Sequence, residues 1–155
     1  MIYRNRNKQL VIRYLRKTLK VHLTRRYGFS ASHRLHNDQL SNEENQSLYG
    51  KCNNPYGHGH NYALEVTVSG SIDPHTGMVC DLGELDTVVE REVLARFDHE
   101  NLNLVPEFAG HIPSSENLAA KIFELLRASF HAARLEKVRV EETAQNFFEY
   151  VGSNS

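Results

Sequence analysis

The chain has 155 residues, the length of one domain, and 40% of them are apolar, which is enough for a buried core. Its formal net charge of −1 gives no indication of a nucleic-acid partner, and no apolar run approaches the roughly 18 residues that a membrane-spanning helix needs. The start lacks the apolar block of a secretory signal, and two cysteines do not make a disulfide framework, so we expect a protein of the reducing cytoplasm.

A basic arm, residues 1–20, precedes the body of the chain. Residues 1–26 carry half of the 18 Lys and Arg residues and no acidic residue. Val11, Leu15 and Leu19 are spaced for one face of a helix. Three interpretations stay open: an arm that is solvated or packs on the body, an organelle-targeting segment, or a surface for nucleic acid or membrane. The functional argument therefore uses only the residues that follow.

Two strands are predicted in the first half of the body. In the first, the odd-numbered positions from Tyr27 to His33 share one face if the segment is extended. In the second, alternate residues from Tyr62 to Val68 are apolar or aromatic and point toward a core. The Pro and Gly of SIDPHTGMV, residues 71–79, then predict the tight turn of a hairpin.

Two helices and two further strands are predicted in the second half. Asp81 is a candidate N-cap for the first helix and Ser114 for the second, each followed by an apolar stripe at helical spacing. Short strands follow around residues 138–143 and 147–151. This order predicts an α+β fold, with two helices on one face of an antiparallel sheet, in a single domain of residues 21–155.

The segment GKCNNPYGHGHNY, residues 50–62, contains a possible metal site. In an extended chain His58 and His60 share a face, and neutral imidazole nitrogens suit zinc. A catalytic zinc site needs a third protein ligand, and His33, on the inward row of the preceding strand, is the best candidate. The ordinary alternative is that these are solvated histidines and that Cys52 is an inert packed thiol.

Two acidic positions also point to chemistry. Glu142 follows Val138 and Val140 on one strand face, so its carboxylate turns inward unless the strand ends at Val140 and leaves it in water. A buried carboxylate needs donors, and a flat guanidine-like ligand edge supplies two N–H groups. Asp98 and His99 form a carboxylate–imidazole pair, and two interpretations stay open. The pair is a proton relay that acts across a subunit boundary, or it is an ordinary helix-end loop that takes no part in proton transfer.

The ordered motifs FSASHRLH, LYGKCNNPYGHGHNY, IDPHTGMV, FDHENLN, PSSENLA and VEET resemble those of the 6-pyruvoyl-tetrahydropterin synthase family. The resemblance runs from about residue 21 to residue 152. It implies that Zn²⁺ is bound by His33, His58 and His60. It also implies that Cys52 is the catalytic base.

The resemblance assigns roles to four further residues. Asp98 and His99 are implied to relay protons. Glu142 is implied to anchor the pterin ring and to take part in the relay. Ser115 occupies a position where relatives carry Thr, and is implied to hydrogen-bond the ring.

The resemblance also implies an activity and an assembly. The activity is a lyase reaction that converts 7,8-dihydroneopterin triphosphate to 6-pyruvoyl-tetrahydropterin with elimination of triphosphate, as in tetrahydrobiopterin biosynthesis. The fold is the tunnelling fold, in which trimers form a barrel and two trimers stack into a homohexamer. No nucleic-acid or membrane partner is expected.

Three other functions stay open. One is the 6-carboxy-tetrahydropterin synthase of queuosine biosynthesis, which uses the same substrate and releases acetaldehyde. The five residues between Cys52 and His58 favour the pyruvoyl-forming enzyme instead. The second is a zinc hydrolase in which Glu142 or His99 activates water, and the third is a pterin-binding or structural zinc module without catalysis.

Overall fold

The computed structural model describes residues 20–152, and the predicted arm therefore lies outside the described residues apart from Lys20. The strands are β1 (Val21–His33), β2 (His58–Gly70), β3 (Glu100–Asn101), β4 (Arg134–Glu141) and β5 (Phe147–Val151). The helices are α1 (Asn42–Tyr49), α2 (Leu82–Val89), α3 (Ala95–Phe97) and α4 (Ser115–Ser129), and a π-helical turn at Glu90–Leu94 joins α2 to α3. The α+β class is confirmed.

The sheet is mixed rather than purely antiparallel. Its strand order is β3-β1-β2-β4-β5, and the short β3 runs parallel to β1 while the other pairs are antiparallel. The prediction missed β3 because it has only two residues and no alternating pattern. It forms because the free edge of β1 still offers backbone acceptors: Ser30 O accepts from His99 N at 2.5 Å, and Ser32 O accepts from Leu102 N at 2.8 Å.

One face of the sheet is buried against the helices. The strand register places Phe29 opposite Tyr62 and Tyr27 opposite Leu64, so the predicted inward rows of β1 and β2 meet on the same face. This face is covered by α4 and by the continuous segment of α2, the π-helical turn and α3. Their fully buried side chains include Leu85 and Ile122. The opposite face of the sheet carries ion pairs between strands, such as those of Glu65 with Arg26 and Arg139.

The predicted caps of the two helices on the core face are present. Asp81 accepts a hydrogen bond from Gly83 N at 2.7 Å, and Ser114 accepts from Asn117 N at 3.3 Å. The sequence analysis did not predict α1. This helix begins with a capping box of Ser41 and Glu44, but it has almost no apolar stripe, and Asn45 is its only buried residue.

Two predicted elements differ from the structure. Residues 71–79 form a turn, in which Asp73 O accepts from Gly77 N at 2.8 Å, but no second strand follows it. The hairpin prediction is wrong because the Asp81 cap starts a helix immediately after the turn. The strand predicted at 138–143 begins earlier and ends at Glu141. None of the helices within residues 20–152 combines the length and hydrophobicity that crossing a bilayer requires.

Candidate active site

The pairing of β1 with β2 brings three histidines together at one end of the buried row. His33 is the last residue of β1 and lies directly opposite His58, the first residue of β2, and His60 is two residues further along the same face. The Nε2 atoms of His33 and His58 are 3.2 Å apart. One ring nitrogen from each of the three histidines lies within 4.8 Å of the other two.

The hydrogen bonds of these rings fit a shared metal ion. Nδ1 of His33 is 2.7 Å from the carbonyl oxygen of Pro113, and because a carbonyl only accepts, Nδ1 carries the proton and Nε2 presents its lone pair. Nε2 of His60 and Nδ1 of His58 are buried and have no hydrogen-bond partner within residues 20–152. A metal bound by the triad would give Nε2 of His60 a partner. It would also explain why the Nε2 atoms of His33 and His58 face each other.

Burial keeps the three rings in the neutral form. It lowers the pKa of His33, which is 1% exposed, and it also lowers the pKa values of His58 and His60. The charges of neighbouring rings act in the same direction on each pKa, while the carboxylate of Glu142 opposes the effect. Neutral imidazole is the form that binds metals, so the triad is ready for a cation at neutral pH.

The carboxylate of Glu142 lies inside this site. The residue follows β4 directly, and its side chain is 16% exposed. Its Oε1 atom is 3.7 Å from Nε2 of His33 and 3.6 Å from Nε2 of His60. The same atom accepts a hydrogen bond from the hydroxyl of Ser115, the first residue of α4, at 2.7 Å. Ser115 therefore contacts the carboxylate and is available to orient it.

Cys52 lies in a 3₁₀ turn at Gly50–Asn53 beside the site. Its carbonyl oxygen accepts a hydrogen bond from Leu35 N at 2.8 Å, which fixes the turn against the chain that leaves β1. Burial raises the pKa of the thiol, and the negative charge of Glu142 raises it further. A cation held by the histidines would act in the opposite direction and favour the thiolate.

Asp98 and His99 form the predicted pair, which has no direct bond to the triad within residues 20–152. Asp98 accepts from Ser30 N at 2.8 Å and its other oxygen is 3.0 Å from Nδ1 of His99. The Ser30 N–H lowers the pKa of Asp98, and His99 lowers it further. His99 is 82% exposed and borders a cleft of about 320 Å³ that is also lined by Asn61 and by His60 of the triad. No hydrogen bond or ion pair joins His99 to the triad in the part of the chain that the structure describes.

Tyr62 is a site residue that the sequence analysis assigned to the core. Its ring lies 5.5 Å from that of His60 and stacks on Phe29 with centroids 5.1 Å apart. Its hydroxyl is buried and has no hydrogen-bond partner within residues 20–152. Burial raises the pKa of this phenol; Glu142 also raises it, while a nearby Ser115 hydroxyl opposes the change. The signal in the sequence that could have indicated this location is the position of Tyr62 on the inward row of β2, two residues after His60.

Comparisons with known proteins agree with one another. A family model described as "6-pyruvoyl tetrahydropterin synthase" matches residues 22–153. A human 6-pyruvoyl tetrahydrobiopterin synthase is 48% identical over 131 residues, which cover 84% of this chain and 90% of the relative. The solved structure of Caenorhabditis elegans 6-pyruvoyl tetrahydropterin synthase superposes with a TM-score of 0.83 at 43% identity, covering 88% of this chain and 99% of that one.

A relative named for the alternative activity, 6-carboxy-tetrahydropterin synthesis, is also similar to the chain. A putative 6-carboxy-5,6,7,8-tetrahydropterin synthase from Archaeoglobus fulgidus is 39% identical over 92 residues. The match covers 59% of this chain and 73% of the relative. It is therefore shorter and less similar than the match to the human protein.

Proposed function

The chain belongs to the 6-pyruvoyl tetrahydropterin synthase family, and we propose that it is a lyase that converts 7,8-dihydroneopterin triphosphate to 6-pyruvoyl-tetrahydropterin with elimination of triphosphate. The observation that carries this proposal is the meeting of three imidazole nitrogens within 4.8 Å of one another, beside an inward carboxylate. The half-buried thiol of Cys52 lies next to the same carboxylate, which influences its pKa.

The proposed metal is zinc, held by His33, His58 and His60. The hydrogen bond from His33 Nδ1 to Pro113 O fixes the ring that presents its Nε2 atom to the ion. When bound, zinc supplies Lewis acidity that makes the side-chain hydroxyl protons and neighbouring C–H bonds of the substrate more acidic. The unpaired nitrogen of His60 supports this assignment.

Different residues of the chain are proposed to bind the pterin ring and to transfer protons. Glu142 binds the pterin ring because a carboxylate accepts two N–H groups from such an edge in a bidentate manner. Ser115, which the resemblance assigns to the ring, also positions Glu142 through its 2.7 Å hydrogen bond. Cys52 as thiolate removes a proton from the substrate carbon. Each positioned acid or base is worth about 10²–10⁴ in rate.

Asp98 and His99 are proposed to serve the site of a neighbouring subunit. In the tunnelling fold, trimers close a barrel and two trimers stack into a homohexamer with sites between subunits. Two features support this assembly here: His99 is 82% exposed and not bonded to the triad within residues 20–152, and the outer strand β5 exposes Phe147 and Val151.

The proposed location is the cytoplasm. The free thiols of Cys52 and Cys80 support it, since both are compatible with a reducing compartment. The proposed catalytic domain begins at residue 21, after the basic arm of residues 1–20.

The experiment is to incubate the zinc-loaded full chain with 7,8-dihydroneopterin triphosphate and to identify the products by mass spectrometry. The expected products are 6-pyruvoyl-tetrahydropterin and triphosphate. Release of acetaldehyde would replace this function by the 6-carboxy-tetrahydropterin synthase activity. Turnover of a simple ester without a requirement for Cys52 would indicate a hydrolase, and binding without turnover would indicate a pterin-binding module.

A further inference from the structure

The fold buries the hydroxyl group of Tyr62 without a partner. The side chain is 2% exposed, and its oxygen has no hydrogen-bond partner within residues 20–152. The ring is already fixed by its stacking on Phe29 and by the neighbouring ring of His60. Phenylalanine would fill the same space without leaving a polar atom unpaired, and unpaired buried polar atoms are rare in native proteins. The hydroxyl therefore indicates a role that packing does not explain.

The groups around this hydroxyl belong to the proposed pterin site. Ser115, Glu142 and Cys52 lie close enough to Tyr62 to influence its pKa, after the larger effect of burial. Ser115 already donates its proton to Oε1 of Glu142 at 2.7 Å. A ligand at this cluster thus meets the remaining acceptor, Oε2 of Glu142, and one uncommitted donor, the hydroxyl of Tyr62.

A pterin ring has the complementary pattern on one edge, where a ring N–H lies next to a carbonyl oxygen. We propose that Tyr62 determines specificity at the pterin site by donating a hydrogen bond to this carbonyl oxygen while Glu142 accepts the adjacent N–H groups. The inference rests on the proposed function. Glu142 and Ser115 lie near the hydroxyl and are also the groups that the ligand edge approaches.

Selection by such a pair depends on the penalty for a mismatched partner. In 4-thiopterin a sulfur atom, which is a weaker acceptor, replaces the carbonyl oxygen, while the ring N–H and the 2-amino group that Glu142 accepts are kept. Sites built to hydrogen-bond one polar group reject analogues that lack it, because a buried group is then left unpaired. We expect wild-type protein to prefer pterin over 4-thiopterin, and removal of the hydroxyl to abolish most of that preference.

The test measures dissociation constants of pterin and of 4-thiopterin by isothermal titration calorimetry, at a pH where both rings are neutral. It compares zinc-loaded full chain, Tyr62→Phe and the matched control Tyr27→Phe. Tyr27 faces the same side of the sheet, and its hydroxyl donates to Asp86 at 2.8 Å, outside the site. Zinc content and melting temperature are measured for each protein.

The expected result separates the two tyrosines. Tyr62→Phe should lose roughly tenfold of the preference for pterin, with zinc content and melting temperature unchanged, because no existing hydrogen bond is removed. Tyr27→Phe should keep the preference and melt a few degrees lower, about 2–4 °C for a loss near 1 kcal/mol. A preference that survives in Tyr62→Phe, or falls only together with zinc content or melting temperature, overturns the inference. If wild-type protein binds neither ring, the proposed function fails as well.

Discussion

The histidine triad and the Asp98–His99 pair differ in how much of each proposed site a single chain supplies. The triad lies on paired strands, where His33 is 1% exposed and its second nitrogen is bound to Pro113 O. The pair is also held locally, because Asp98 accepts from the backbone of Ser30, yet His99 is 82% exposed. One chain therefore brings together three histidines that could hold a metal ion, whereas the Asp98–His99 pair has no direct bond to them within the described residues.

This difference indicates that metal binding and turnover should depend on different regions of the molecule. A site made by two adjacent strands needs only the folded chain, so metal binding should not require assembly. If the pair serves a neighbouring subunit, as proposed, turnover should require assembly. Metal content and turnover should consequently respond to different substitutions.

The largest expected effect comes from His58→Ala. Removing one of three nitrogen ligands should abolish stoichiometric zinc, measured by atomic absorption, and turnover should fall with it. His75→Ala, in an exposed turn, is the matched control and should retain zinc. Stoichiometric zinc in His58→Ala would remove this residue from the ligand set.

Cys52→Ala should separate metal from chemistry. We expect zinc content to stay at the wild-type level and turnover to fall by about 10²–10⁴, since a positioned base is lost. Cys80→Ala is the matched control, because Cys80 is also a half-buried free thiol. Equal activity of Cys52→Ala and wild type would contradict the role of the thiol.

His99→Ala should lower turnover by about 10²-fold at unchanged zinc content, through loss of one acid–base group. The comparison becomes sharper in a mixture. Co-expressed Cys52→Ala and His99→Ala subunits should recover measurable activity, because some sites then combine an intact Cys52 with an intact His99. Failure to recover activity in mixed oligomers would mean that both residues act from one chain.

Glu142→Ala should weaken pterin binding by about tenfold or more, because a charge-assisted acceptor for two N–H groups is lost. Zinc content should remain unchanged, as the three nitrogens are still present. Isothermal titration calorimetry with pterin provides the measurement. Loss of zinc in this variant would instead make Glu142 a metal ligand.

The smallest effect is expected from Glu136→Gln, at the opposite end of the β1–β2 pair. Lys20 and Ser69 bind this carboxylate and lower its pKa to about 2. A depressed carboxyl pKa stabilises the fold above the unfolded value near 4.5, and this stabilisation is lost as the pH falls toward 2. Chemical denaturation across this range should therefore show a shallower loss of stability in Glu136→Gln. A slope equal to that of wild type would contradict the assignment.

The inward rows of β1 and β2 could be predicted from the sequence because alternation with a period of two has one physical meaning in a half-buried sheet. The same parity predicts that His33, His58 and His60 lie on one face. The caps at Asp81 and Ser114 were likewise local signals, each of which needs only its own helix.

The elements that the sequence did not reveal depend on contacts between distant segments. β3 has two residues and exists only because the edge of β1 accepts its backbone. The bond from Ser115 to Glu142 joins the start of α4 to the end of β4. The unpaired hydroxyl of Tyr62 can be recognised only when every neighbour is in place, since a tyrosine on a core row has an ordinary packing explanation.

X-ray absorption spectroscopy at the zinc edge of the loaded wild-type protein tests the central claim most directly. The account predicts one zinc ion per chain with three imidazole nitrogens at about 2.0–2.1 Å and no sulfur ligand. A sulfur at about 2.3 Å would make Cys52 or Cys80 a ligand rather than a base or a bystander. That result, or a protein that retains no zinc, would contradict the account.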